Sequence, residues 1–336
     1  MNKLTKIGAS ALCGSLAAIS AAKAGDLTVT GGVDMSWVSL SDSVTGNPIG
    51  IGSNLTFKGS GELDNGWSVD LTVAHTNANA YSNTNVVVGV PGLGDIRIDQ
   101  GTTGTGIDRM DDKTPNVWEE AYATGLSTGA QTVSGTAGGS TIEWKPSMMP
   151  DGMTAYVAYS PNACGKNAAD KASSGSCAGV ASHGWDLTLE ASEDVSGVAG
   201  LTIYGGLSEI EQFTNGTAVD GNRKEKTIGA NYTSGAFSLG YQWSDEDTGR
   251  ASTATSYENH AYGITFNVND DLSIGYNNYE SEQSSSTNVT LEAQSFQIAY
   301  TMGGASIRLA EAKVDNAKYS TANDSDGTTL SVSLAF

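Results

Sequence analysis

Period-two alternation of apolar and polar residues runs through this sequence, and it limits the fold more than any other feature. Val29, Gly31, Val33, Met35 and Trp37 share one face of an extended segment, and Thr28, Thr30, Asp34 and Ser36 share the other. Trp67, Val69, Leu71 and Val73 alternate with Ser68, Asp70 and Thr72. Phe237, Leu239, Tyr241 and Trp243 alternate with Ser238, Gly240 and Gln242, and Tyr262, Ile264, Phe266 and Val268 with Gly263, Thr265 and Asn267. Successive side chains of a strand point to opposite sides, so these are strands with one apolar and one polar face. Helical spacing is scarce in a chain with 42 glycines. Sixteen strands are expected, at 27–40, 51–63, 67–76, 85–90, 95–100, 140–146, 153–160, 184–193, 199–209, 225–233, 236–244, 257–268, 272–281, 288–301, 305–315 and 327–336.

The connections alternate too. Asp64-Asn65-Gly66, Pro91-Gly92-Leu93-Gly94, Ser234-Gly235, Asn269-Asp270-Asp271 and Met302-Gly303-Gly304 have the chemistry of tight turns. Between them fall longer polar segments at 41–50, 77–84, 101–139, 161–183, 210–224, 245–256, 282–287 and 316–326. In an antiparallel meander every second connection lies on the same rim, so one rim carries turns and the other carries loops.

A soluble sandwich would bury its apolar faces between two sheets built of strands of ~5–6 residues. Several strands here approach the ~9–11 residues that a tilted strand needs to cross a bilayer. Their second faces hold Thr, Ser, Asp, Gln, Lys and Arg, as a wet interior requires. The expected fold is therefore all-β: a 16-stranded antiparallel transmembrane barrel, closed because lipid cannot satisfy an open sheet edge. The last ten residues, "GTTLSVSLAF", fit a closing strand that ends on Phe336. On a soluble protein the same stretch would be an aggregation-prone edge.

The first residues read as an export signal. Lys3 and Lys6 precede an apolar, small-residue stretch from 7 to 22, and Ala22-Lys23-Ala24 fits an A-x-A cleavage site. The stretch is interrupted by Ser and Gly and is too short for a membrane anchor. Leu12, just before Cys13, is too bulky for a lipoprotein site. The expected division is 1–24 signal peptide and 25–336 barrel. The formal charge is −20 over 336 residues, and loss of a signal with three lysines makes it more negative. Such a surface repels nucleic acid and attracts cations. Cys164 and Cys177 remain after cleavage. In an exported chain they suggest a disulfide, worth ~3 kcal/mol for so short a loop, with two free thiols as the alternative.

Three stretches resemble the general porins of Gram-negative outer membranes, especially the alphaproteobacterial kind. "NLTFKGSGELDNGWSVDLTVAHTNA" (54–78) is similar to their second and third strands, and "NVVVGVPGLGDIRIDQG" (85–101) to their fourth and fifth. "TLSVSLAF" is similar to their closing strand, whose terminal aromatic is read by the barrel-assembly machinery. The Pro-Glu-Phe-Gly-Gly motif of enterobacterial porins is missing. The resemblance implies short periplasmic turns, long extracellular loops, a homotrimer in contact with outer-membrane lipid and lipopolysaccharide, and a constriction loop at 101–139 folded into the bore.

That loop carries Asp108, Asp111, Asp112, Glu119 and Glu120, with Arg109 and Lys113 among them. Fixed carboxylates in a narrow passage favour cations. Strand parity points Lys58, Arg97, Lys145 and Arg308 inward, where they would face the acidic loop. It also points Asp34, Asp70, Glu143, Asp186 and Glu190 inward. Trp37, Trp67, Trp185, Tyr241, Trp243 and Tyr276 fall near strand ends and suit interfacial girdles. No cofactor is expected. Acidic stretches such as "SDEDTG" (244–249) and "NDSDG" (323–327) are candidates for loop-bound Ca²⁺, although they lack an EF-hand pattern. Catalysis has little support, because His75, His183 and His260 are far apart and no nucleophile motif is present.

The function this reading favours is a porin: a water-filled channel for passive diffusion of ions and small hydrophilic solutes, preferring cations. A substrate-selective channel on the same barrel is one alternative. A secreted β-rich adhesin or surface protein is the other.

Overall fold

A computed structural model describes residues 24–40, 48–76, 83–100, 104–137, 139–163, 181–213, 219–251 and 254–335. It contains sixteen strands: β1 (Ala24–Leu40), β2 (Ile49–Glu62), β3 (Ser68–Thr76), β4 (Asn83–Val90), β5 (Gly94–Gln100), β6 (Ser140–Pro146), β7 (Met153–Asn162), β8 (Ala181–Ala191), β9 (Leu201–Gln212), β10 (Arg223–Ser234), β11 (Phe237–Asp247), β12 (Ser256–Asn267), β13 (Leu272–Ser284), β14 (Val289–Met302), β15 (Ala305–Asp315) and β16 (Ser325–Ala335). Each strand pairs antiparallel with its neighbours in sequence, and β1 pairs with β16 to close the barrel. At that seam Met35 lies opposite Val332 and Trp37 opposite Leu330.

The register aligns the apolar face from strand to strand. Val29 lies opposite Phe57, Leu239 opposite Ile264, and Ile298 opposite Leu309, which in turn meets Leu330. These side chains point outward, and many large ones are exposed, Ile98, Leu187, Ile228, Leu239, Phe296 and Ile307 among them. The inside is the reverse. Thr141, Thr188, Gln242, Asn259, Asn277, Gln297 and Ser331 are all buried and all polar. A soluble protein distributes these types the other way round, whereas a lipid-facing cylinder around a wet interior needs this one.

Short connections join β2 to β3, β4 to β5 and so on around one rim, and long ones occupy the other. One turn holds an unforeseen helix, α1 (Glu193–Ser196), between β8 and β9. The Ser192 side chain accepts from the Asp194 N–H to cap it, and Gly197, at φ 68°, ends it. The expected loop at 282–287 is shorter, because β13 runs on to Ser284. Trp37, Trp67, Trp185 and Tyr241 are exposed on the outer face. The Trp243 indole donates to Glu258 at 3.0 Å, and the Tyr241 hydroxyl meets His260 Nδ1 at 2.7 Å. Trp243 and Tyr276 are half-buried. Cys164, Cys177 and Phe336 lie outside the described residues, as do the N-terminal 23 residues.

Candidate functional site

The segment between β5 and β6 is folded against the inside of the wall, and wall carboxylates receive its backbone. It opens with a 3-10 helix, Gly106–Met110. The Gly106 N–H donates to Glu143 Oε2 at 2.7 Å, and the Ile107 N–H to Asp186 Oδ2 at 3.2 Å. On the way back, Thr136 donates to the same Asp186 oxygen from its N–H (3.1 Å) and its hydroxyl (2.9 Å). The Ser134 and Gly135 N–H groups donate to Glu225 at 3.3 and 2.5 Å. Gly106 and Gly135 have φ of 56° and 49°. A Cβ at either would lie 2.5 Å or less from an Asp186 carboxylate oxygen. Only glycine lets the loop backbone approach so closely.

Between these anchors the loop follows the wall past β10 and across to β16. Asn231 on β10 donates to the Lys113 carbonyl at 2.6 Å. Gln297 on β14 accepts from Trp118 and Glu119 N–H at 2.9 and 3.3 Å, and Asn277 on β13 donates to the Glu119 carbonyl at 2.9 Å. The Tyr122 ring packs edge-on to Tyr279 at 4.8 Å. Thr329 on β16 donates to the Thr124 carbonyl at 2.7 Å. Leu126 and Ala121 join Leu291, Ala293, Ala312 and Val314 in a small apolar cluster inside the bore. The loop is thus fastened at many points around the circumference.

The five loop carboxylates differ in setting. Asp108 is buried, and its Oδ2 accepts from Gly104 N–H at 2.5 Å. Burial pushes its pKa up to about 6. Asp111 rises to about 8, chiefly through burial and then through the charges of Asp108, Asp112 and Glu120. Burial raises Glu120 to about 7, partly offset by hydrogen bonds that include one from Asn116 Nδ2 at 2.5 Å. Glu119 is also raised by burial, against the opposing pull of Arg308. Asp112 is exposed. The five carboxylates act on one another as one acidic cluster inside the barrel.

Of the four wall bases, Arg308 acts on this cluster by lowering the Glu119 pKa. Its guanidinium sits 5.4 Å from the Trp118 ring centroid and pairs with Asp34, which also accepts from Ser331. Arg97 is engaged at the root of the loop, with Asp99 at 2.6 Å and the Gly104 carbonyl at 3.2 Å. Lys145 lies 5.9 Å from the Tyr156 ring centroid. Lys58 is exposed on β2, opposite Thr28 and Thr72 in register. The ion pairs between loop and wall run in the other direction: loop bases meet wall acids. Arg109 pairs with Glu143 and stacks 4.0 Å over Tyr156, and Lys113 reaches Glu190 at 2.7 Å.

Sequence parity pointed Glu143, Asp186 and Glu190 inward but did not give them a task. Glu225 and Gln297 went unnoticed, because nothing local marks an anchor whose partner is 90 or 179 residues away. In "SDEDTG" the carboxylates have internal partners: Asp245 with Lys226, Glu246 with Arg223, and Asp247 with the Gly249 N–H. In "NDSDG", Asp324 accepts from the Asn316 N–H. Among the described residues no group of three or more His, Cys, Asp or Glu is arranged to hold a metal ion.

A closed sixteen-stranded cylinder with an apolar exterior, a polar bore and a loop fastened inside it defines a membrane channel. The sequence model of the Gram-negative porin family matches residues 8–336, and the chain belongs to that family. Membership and fold make it an outer-membrane β-barrel. Similar solved structures include the anion-selective porin from Comamonas acidovorans, with 13% identity, TM-score 0.67, and coverage of 93% of this chain and 100% of that one. Salmonella typhi OmpF in complex with daunomycin has 12% identity, TM-score 0.67, and coverage of 93% and 98%. A mutant of the Rh. blastica porin has 15% identity, TM-score 0.56, and coverage of 93% and 100%. No curated protein matches the sequence.

Proposed function

We propose that the chain forms a diffusion channel for ions and small hydrophilic solutes, that it prefers cations, and that it assembles as a homotrimer. The observation that carries the cation preference is the acidic loop inside the bore. Asp111, Asp112, Glu119 and Glu120 gather there, and Asp34, Asp186, Glu190 and Glu225 line the wall. The nearby bases Arg109, Lys113, Arg223 and Arg308 are each paired with a wall carboxylate. Asp34, Glu190 and Glu225 cancel against those bases at a distance, so the loop carboxylates without a cation set the sign of the field, with Glu120 and Asp111 joining them as pH rises through about 7 and 8. Passage needs no conformational cycle: the width left by the loop limits size, and the field sorts ions.

The test is a reversal potential in a KCl gradient across a planar bilayer. A cation-selective potential that shrinks when Asp111, Asp112 and Glu119 are neutralised together is the expected result. Anion selectivity in the unmodified channel would refute the electrostatic argument. The family resemblance supports the trimer, and cross-linking in intact membranes checks it: a ladder ending at three copies is expected.

A further inference from the structure

Above the constriction loop, on the rim of long connections, lies a cavity of about 610 Å³. Its size is that of a small-molecule site. Its lining includes Gln131 from the loop, Gln212 at the end of β9, Arg223 at the start of β10, Arg250 beyond β11, Tyr257 on β12 and Gln283 on β13.

Several of these groups are held in place before any solute arrives. Arg223 donates from Nε to Glu246 at 2.7 Å, and from its NH2 group to Glu225 at 2.6 Å and to the Ser134 hydroxyl at 3.1 Å. Gln283 donates its amide to the Tyr257 hydroxyl at 3.0 Å, and Gln212 donates to the Thr248 carbonyl at 2.7 Å. The Tyr257 ring packs at 5.2 Å from Tyr319, whose hydroxyl accepts from the Gln131 N–H at 2.9 Å. Tyr319 keeps a φ of 56°, a conformation that an aromatic residue adopts only when its surroundings impose it. The amide oxygens of Gln212 and Gln283 accept no hydrogen bond among the described residues, and the exposed Arg250 guanidinium has no ion pair among them.

The cavity thus presents fixed acceptors, fixed donors and an aromatic ring within one space. Its lining charges are Arg223, Arg250 and Glu246, and Glu225, bonded to Arg223 behind the lining, brings them to balance. An anion would use only the donors and would meet Glu246. A cation would use only the acceptors and would meet two arginines. A hydroxyl donates and accepts at once, and a ring of C–H groups lies well against a tyrosine face. We infer that this outer vestibule is a binding site for neutral saccharides of one or two rings, a waiting position before the constriction. The inference rests on the channel reading and adds a solute class to it.

The experiment is current blocking in planar bilayers. Maltose or sucrose is added on the long-loop side, and a polyethylene glycol of matched hydrodynamic size serves as the steric control. Each channel is compared with its own sugar-free conductance. The disaccharides are expected to interrupt the current at concentrations where the polymer does not. Arg250→Ala and Gln283→Ala should each raise the half-blocking concentration about five- to tenfold, the effect of losing one or two hydrogen bonds. Arg250 is exposed, so its variant should fold, and heat-dependent gel mobility verifies that. Blocking no stronger than by the polymer, unchanged blocking in both variants, or stronger blocking by gluconate than by the neutral sugars would overturn the site. Absence of conductance steps in any preparation would overturn the channel reading itself, and the site with it.

Discussion

Thr136 donates to Asp186 Oδ2 twice, from its backbone N–H at 3.1 Å and from its hydroxyl at 2.9 Å. The same oxygen accepts from Ile107 at the other end of the loop. One wall carboxylate on β8 therefore gathers the outgoing and returning arms of the constriction.

Replacing that carboxylate should loosen both arms. Asp186→Ala leaves three donors without an acceptor in a fully buried place, at a cost of ~1–3 kcal/mol for each donor left unsatisfied. A lower temperature for the heat-induced mobility shift is expected, together with larger and noisier single-channel conductance. Unchanged conductance and unchanged mobility would remove Asp186 from the anchoring role.

Selectivity should depend on pH. Asp108, Glu120 and Asp111 have pKa values of about 6, 7 and 8. Each is raised, so each is neutral below its own value and charged above it. Cation preference should grow as pH rises from ~5 to ~9, with its steepest change near neutrality. The stability effect has the opposite sign. Between the ordinary aspartate value of 3.8 and about 8, folded Asp111 binds more proton than the unfolded chain does. That stabilisation is present in full below the lower value and disappears as pH rises through the higher one, so the loop should be firmer in acid. Reversal potentials and heat-shift temperatures over this range measure both slopes. A flat potential would refute the charge assignment.

Arg109 and Glu143 offer a thermodynamic cycle. Their pair is largely shielded, with Glu143 at 2% exposure. Arg109→Ala alone leaves a buried carboxylate without its cation, a loss of ~3–5 kcal/mol. Adding Glu143→Gln removes the stranded charge and should recover part of that stability. Heat-shift temperatures of the two singles and the double variant give the coupling, and strict additivity would contradict a direct pair.

Arg308→Gln removes the wall base that acts on Glu119. Cation preference should rise, most clearly at alkaline pH. The titration of Glu119 should move upward, because Arg308 holds it down. The cost in stability should stay below ~1 kcal/mol, since Asp34 is 39% exposed on its side chain. A fall in cation preference at high pH would sink this reading.

The barrel was legible in the sequence because its signals are local. Alternation along Phe237 to Trp243 gives a strand and its outward face without any distant partner, and Asn269-Asp270-Asp271 gives a turn. The turn helix at Glu193–Ser196 escaped because four residues contain too little periodicity to register. The acidic character of 101–139 was equally plain, but its electrostatics were not. Parity placed Arg97 inside, yet Asp99 two residues away engages it, and the local pattern gives no weight to that choice. Asp108 and Asp112 read alike in sequence, and only packing makes one buried and the other open. Charge is written in single residues, whereas the pairing that spends it depends on contacts across the bore.

The Thr329 hydroxyl bound to the Thr124 carbonyl has a consequence for assembly. β16 is the last strand in the chain, and it both seals the cylinder against β1 and holds the far side of the constriction loop. Until that strand docks, the loop lacks one of its supports and the wall is still open. Sealing the wall and fastening this side of the loop therefore fall to one strand. Thr329 on the sealing strand is thus also a support of the passage it encloses.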